Sequence, residues 1–190
     1  MKYTAALAGL AVAFAGTAGA WTLDSAGSAI SYVTMKNGEI AEPNLLSGLS
    51  GSVSEDGAAT VEIALSSVET YIDIRNERMR EFLFQVADFP VATVTAALDL
   101  DDIADLPAGG MTEASFEVTI ATNGTENSYD AMAFVTRASD DRVMVTSKQP
   151  IIVYADEMGY EGGLAKLQEL AGLDSIQPSV PVSFNLTFTR

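Results

Sequence analysis

The 190-residue sequence predicts a mainly β domain: about eight antiparallel strands, closed or nearly closed into a barrel, with one or two short helices closing it. Three observations predict this. Apolar and polar residues alternate with a period of two through most of the chain beyond residue 20, the pattern of half-buried strands. Gly, Asn and Asp pairs punctuate those runs at Asn37-Gly38, Asp56-Gly57, Gly109-Gly110, Asn123-Gly124 and Asp140-Asp141, as turns require. Only two segments switch to helical spacing. Closure follows because open edge strands invite aggregation and a closed barrel removes them.

Taken in order, residues 1–20 read as a secretory signal peptide. Lys2 supplies the positive start, Ala5 to Ala15 the apolar run, and Ala18-Gly19-Ala20 a small-residue cleavage site that would leave Trp21 first. The apolar run is short for a bilayer span and no basic stop-transfer residues follow it. No other segment reads as an integral membrane span. Residues 21–190 then form a single domain.

The clearest strand is the last, where Val180, Val182, Phe184, Leu186 and Phe188 alternate with Pro181, Ser183, Asn185, Thr187 and Thr189. Ala114, Phe116, Val118 and Ile120 define a second, and Val61, Ile63 and Leu65 a third. Weaker strands are expected near 28–36, 44–53, 91–99, 128–137 and 142–153. The stretch from Arg75 to Ala87 carries Met79, Phe82, Leu83 and Val86 at helical spacing, with Pro90 beyond its end. A second helix is expected over Gly163 to Ala171, with Gly172 placed to stop it. Ala64, Ala92, Ala96, Ala97, Ala131 and Ala133 are candidate interior positions. An eight-stranded barrel either fills its interior or holds one small ligand. Small residues there leave space or pack as core against bulky neighbours, and alternation permits both.

Composition excludes much chemistry. The chain has no Cys and no His, hence no thiolate, no disulfide, no imidazole base and no His-ligated zinc or haem. Ten basic against 26 acidic residues give a net charge of −16, which repels nucleic acid and anionic membrane surfaces. No cofactor and no metal is called for. The acidic run Asp99, Asp101, Asp102 and Asp105 lacks EF-hand spacing and its central Gly, so it reads as a solvated loop. Carboxylate pairs suited to glycoside hydrolysis are expected by chance among so many acids. Of six Arg, Arg75, Arg78 and Arg80 lie within six residues; they either receive an anion or pair with Asp73, Glu77 and Glu81. Ile72, Ile74, Met79, Phe82, Phe84 and Phe89 either floor a ligand cavity or plug a barrel end as plain core.

Several blocks together are familiar. Trp21-Thr22-Leu23-Asp24 with Ser28, Ile30 and Tyr32, then Gly48 to Val53, Ser67-Val68-Glu69-Thr70, Arg75-Asn76-Glu77-Arg78-Met79-Arg80 followed by Phe82 to Phe89-Pro90, and Tyr154-Ala155-Asp156-Glu157-Met158-Gly159 occur in one order. In that order and spacing the chain resembles the YceI-like family of secreted, lipocalin-like bacterial proteins often described as polyisoprenoid-binding. The resemblance implies an extended barrel around an apolar tunnel, closed by helices, binding an isoprenoid or other long-chain lipid such as a polyprenyl chain or quinone tail. It implies no established enzymatic activity, and a periplasmic location after cleavage behind Ala20. Ligand-binding residues are then expected at Ile72, Ile74, Arg75, Arg78, Met79, Phe82, Phe84, Phe89, Phe116, Ala133, Tyr154 and Met158. The oligomeric state is open between monomer and homodimer. Family members commonly carry His near position 27 and at the place of Arg78; Gly27 and Arg78 stand here, so no role of those His residues is carried over. The alternatives to a lipid carrier are a non-binding stress or structural protein with a filled barrel and a carboxylate-based enzyme within it.

Overall fold

The computed structural model describes residues 21–190; the expected signal peptide lies outside the described residues. Twelve strand segments form one sheet. They are β1 (Trp21–Leu23), β2 (Ala29–Lys36), β3 (Ile40–Leu46), β4 (Leu49–Val53), β5 (Ala58–Ala64), β6 (Val68–Glu69), β7 (Val91–Ala97), β8 (Met111–Thr122), β9 (Thr125–Ser139), β10 (Arg142–Ser147), β11 (Ile151–Tyr154) and β12 (Ser179–Thr189). Four pairs of neighbouring segments are broken halves of longer strands. The chain bends at Ser25–Gly27 between β1 and β2, at Ser47-Gly48 between β3 and β4, at Leu65–Ser67 between β5 and β6, and at residues 148–150 between β10 and β11. Both halves of each pair meet the same flanking strands: β1 and β2 both pair with β12, and β10 and β11 likewise.

Counted this way, eight antiparallel strands run up and down in chain order. The ring closes where β1 pairs with β12 through Thr22↔Thr189 and Leu23↔Phe188. Every expected strand is present. Turn chemistry explains the register. Asn123 and Gly124 both have positive φ, 46° and 75°, the two-residue turn that matches strand twist, and they join β8 to β9 at Thr122↔Thr125. Alternation is realised side by side: Ala114 faces Ala133, Phe116 faces Ala131 and Val118 faces Tyr129 across β8 and β9, all turned inward. One small residue expected inside points the other way: Ala64 lies out of step with the inward Ile63, since successive side chains cannot share a face. Ala97, out of step with Ala96 along β7, still borders the interior where that strand ends.

Three helices accompany the barrel: α1 (Asp73–Arg78), α2 (Asp101–Ala104) and α3 (Glu161–Ala171). The single helix expected over 75–87 is instead α1 followed by a wider π-turn over Met79–Leu83. The Phe84 N–H donates to the Met79 carbonyl at 2.9 Å, five residues back, and Gln85 at φ 49° ends the helix. The widening changes which residues share a face. A regular helix groups Met79, Phe82, Leu83 and Val86, whereas the π-turn brings Met79 and Phe84 inward together. The second helix begins two residues earlier than expected and stops as expected at Gly172, φ 61°. The short α2, in the acidic run, was not anticipated.

Helix α3 sits on the π-turn, with Gly163 as the point of contact. A Cβ there would lie 2.5 Å from the Phe82 carbonyl oxygen and 2.8 Å from the Leu83 Cα, both backbone atoms that cannot swing aside. Gly163→Ala should therefore pry α3 off the barrel end and cost about 1–3 kcal/mol. Chemical denaturation against the wild type checks this; an unchanged midpoint would show that the helix pair does not close the barrel.

Candidate ligand cavity

The inward faces of the eight strands do not meet. They enclose a cavity of about 590 Å³. Its wall is built from the alternating positions of every strand, including Ile30, Val61, Val94, Phe116, Val182 and Phe184. Space exists because several inward positions are small: Ala59, Ala92, Ala96 and Ala114 all line it. Ala131 and Ala133 are inward too, but at 1% and 0% exposure they are covered by neighbours and lie behind the lining.

The helical segments line one end, where the exposed Tyr154, Gln177 and Pro178 also belong to the wall. Met79 and Phe84 enter from the π-turn, Met158 and Tyr160 from the approach to α3. The Phe84 and Tyr160 rings meet edge to face, centroids 5.5 Å apart at 78°, a favoured aromatic geometry. The Tyr160 hydroxyl lies 2.5 Å from that of Thr122 at the end of β8, which satisfies a phenol whose burial pushes its pKa up.

The opposite end has a different construction. β7 pairs with β8 only from Thr93↔Ala121 to Ala96↔Val118. β7 then turns away, and the Leu98 N–H donates to the Gly57 carbonyl at 2.9 Å. The first half of β8 is left with a partner on the β9 side alone. Here the cavity wall includes Thr112 through Phe116 without interruption. The outward Glu113 and Ser115 can belong to the wall only if the cavity reaches the barrel's flank. The connector bearing α2 crosses this gap with Leu98, Leu100 and Ile103 turned to the cavity. Arg137 of β9 holds it by donating to the Ala104 and Leu106 carbonyls at 3.1 and 3.0 Å.

Of the twelve residues expected to bind ligand, Met79, Phe84, Phe116, Tyr154 and Met158 line the cavity. The other seven do not. Ile72 and Ile74 are 46% and 52% exposed, because the inward residue at the start of α1 is Asn76. Its side-chain oxygen accepts from the Thr70 N–H at 2.8 Å and the Thr70 hydroxyl at 2.6 Å. Phe82 is half-buried outside the lining, displaced by the π-turn. Phe89 lies by the Asn123-Gly124 turn, and Ala133 sits behind the wall.

The arginines of the α1 block are already engaged, and with partners other than Asp73, Glu77 or Glu81. Arg75 donates to Glu42 at 2.5 Å and to the Thr70 carbonyl at 2.6 Å. Arg78 reaches the Leu170 carbonyl at the end of α3, and Arg80 the Ser66 and Val68 carbonyls. They tie the helical segments to the barrel. Alternation alone would have found Ala96, Ala114, Val182 and Tyr32, which lines the wall with its hydroxyl buried and unpartnered. Burial pushes the Tyr32 phenol up despite the opposing Arg75 charge, so it stays protonated. Among the described residues no group of three carboxylates converges as a metal site would need.

These features define a class: an up-and-down eight-stranded β-barrel of lipocalin type, with an apolar interior reached from its flank. The family model for the YceI-like domain matches residues 21–188, and the chain belongs to that family. It is similar to a solved structure described as a polyisoprenoid binding domain from Saccharophagus degradans implicated in plant cell wall breakdown. That match has 36% identity and a TM-score of 0.87, and covers 90% of this chain and 98% of the other. It is also similar to BcnA from Burkholderia cenocepacia, at 16% identity and a TM-score of 0.67, covering 87% of this chain and 98% of that one; this likeness shows the fold alone. Among curated proteins none matches the chain.

Lining and buried positions should separate under substitution. Ala114→Phe fills open space and should leave the melting temperature nearly unchanged while abolishing retention of a long-chain lipid. Ala133→Phe overpacks a filled site and should cost about 1–3 kcal/mol. Melting curves and lipid retention, measured together, check both; equal destabilisation by the two would mean the cavity is closed to side chains.

Glu42 carries the pH response of this region. Its desolvation is outweighed by the hydrogen bond from Lys36 and the Arg75 charge, which hold the carboxyl below the usual glutamate range. A depressed carboxylate stabilises the fold above its unfolded pKa, and that stability is lost as pH falls through the folded value. Wild type should therefore exceed Glu42→Gln in melting temperature at neutral pH, with the gap closing below about pH 4. A gap constant from pH 7 to pH 3 would show that the ion pairs do not hold α1.

Proposed function

We propose that this protein is a periplasmic carrier that holds a long apolar lipid, a polyisoprenoid or quinone-like tail, inside its barrel for transport or storage. The observation that carries this is the cavity of about 590 Å³. Its wall is supplied by apolar side chains from all the strands, and it reaches the surface at the flank beside β8. Each CH₂ moved from water into such a wall contributes roughly 0.8 kcal/mol, offset in part by the ordering of a flexible tail. The likeness, at 36% identity over 90% of the chain, to a structure described as a polyisoprenoid binding domain supports the same ligand class.

Binding rather than catalysis is the reading the wall favours. Its carboxylates are Asp99 and Glu113, both exposed at the rim, and no pair of buried acids faces the interior among the described residues. A filled barrel acting through its surface is disfavoured by the cavity itself. Export rests on Lys2, the apolar run and the Ala18-Gly19-Ala20 site. Native mass spectrometry of protein purified from its own periplasm tests the whole reading. The expected species is a chain beginning at Trp21 with a lipid adduct released by collisional activation. A chain retaining Met1 would defeat the export reading, and adduct-free protein that takes up no added lipid would defeat the carrier reading.

A further inference from the structure

The flank opening has an electrostatic character that the rest of the cavity lacks. Inside, the wall is apolar. At the gap the character changes. Asp99 on the connector and Glu113 on β8 line the opening, and Glu117, four residues further along the same outward face of β8, lines a small hollow on its outer side with Thr95, Ala96 and Ala97. Asp101 and Asp105 are exposed on the connector above it. The cations nearby are committed. Lys148 is paired with Glu113 and lies over the Phe134 ring. Arg137 is bound to the connector carbonyls and to Asp140. Counting Asp99, Glu113 and Glu117 against Lys148, the edge of the opening carries a net charge of 1 − 3 = −2.

The helical end differs: Met79, Phe84, Met158 and Tyr160 line it, its exposed margin is Tyr154, Gln177 and Pro178, and no carboxylate belongs to its lining. A lipid that enters at the flank leaves its head among carboxylates and outside the apolar wall. A diphosphate there would face like charge at short range with no unpaired cation to receive it, whereas a hydroxyl or carbonyl head would meet no such repulsion.

We propose that lipid enters through the flank between β8 and the Leu98–Gly110 connector, and that the carboxylate edge of this opening selects uncharged head groups over diphosphates. The proposal rests on the carrier reading above, and its test separates the two.

The probes are a 20-carbon prenyl alcohol and its diphosphate, titrated against the full mature chain at low and high salt. Wild type should bind the alcohol about tenfold or more tightly at low ionic strength, and added salt should narrow the difference as it screens the edge. The double variant Asp99→Asn, Glu113→Gln should bring the two affinities together by strengthening the diphosphate relative to the alcohol. Glu161→Gln with Glu169→Gln removes the same charge from exposed positions on α3 and should preserve the difference, which isolates the local edge from the net charge of −16. Placement is read independently by NMR. A nitroxide on the head of the alcohol should broaden amides of residues 98–99 and 112–117 and spare those of 75–84, 154–155 and 176–177. Equal binding of both probes by wild type, or broadening over 75–84, 154–155 or 176–177, overturns the flank proposal while the carrier reading stands. Binding of neither probe overturns both.

Discussion

The structure depends on one constraint, the pairing of the first strand with the last: β1 meets β12 through Thr22↔Thr189 and Leu23↔Phe188, and β2 meets it from Ala29↔Asn185 to Tyr32↔Val182. It turns a meander of antiparallel strands into a ring. With the ring closed, each strand pairs on both sides over part of its length and all inward positions face one another across a single interior. Beside this seam the ring of Trp21, which opens β1, lies 4.6 Å from the guanidinium carbon of Arg190 and reinforces it.

Closure alone does not make a cavity. The volume exists because Ala59, Ala92, Ala96 and Ala114 stand where larger residues would fill the interior, while Phe116, Phe184 and Phe188 shape the remainder. The helical segments then cover one end with Met79, Phe84, Met158 and Tyr160. Arg75, Arg78 and Arg80 act as ties in this arrangement, each satisfying carbonyls or Glu42 across a junction. Surface and interior are thus chemically separate: acids outside, hydrocarbon inside, and contact between them concentrated where β7 leaves β8.

That departure is the most consequential irregularity in the sheet. A barrel in which β7 followed β8 to Met111 would present a continuous wall. Because Leu98 pairs with Gly57 instead, the edge of β8 is bare of strand partners and a connector pinned by Arg137 spans the space. The bridge is tied at both ends: beyond the Leu98 bond, the Gly109 N–H donates to the Arg137 carbonyl and the Arg137 N–H to the Gly110 carbonyl.

The sequence by itself determined the strand count, the inward and outward faces of β5, β8 and β12, both hairpin turns at Asn-Gly, and the stop at Gly172. These are local properties: a two-residue period, a positive φ, a helix end, each readable from neighbours in the chain. It also carried the family resemblance, and with it Met79, Phe84, Phe116, Tyr154 and Met158 as wall residues. The tertiary structure alone decided the rest. Whether inward alanines leave space or pack depends on what stands opposite, which separates Ala114 from Ala133 although they face each other across one register. The π-turn that withdraws Phe82 and admits Phe84 arises where α3 lays Gly163 against the Phe82 carbonyl, a contact between residues 81 positions apart. The flank opening is a missing pairing between two well-formed strands, and periodicity along one strand says nothing about where its neighbour leaves it.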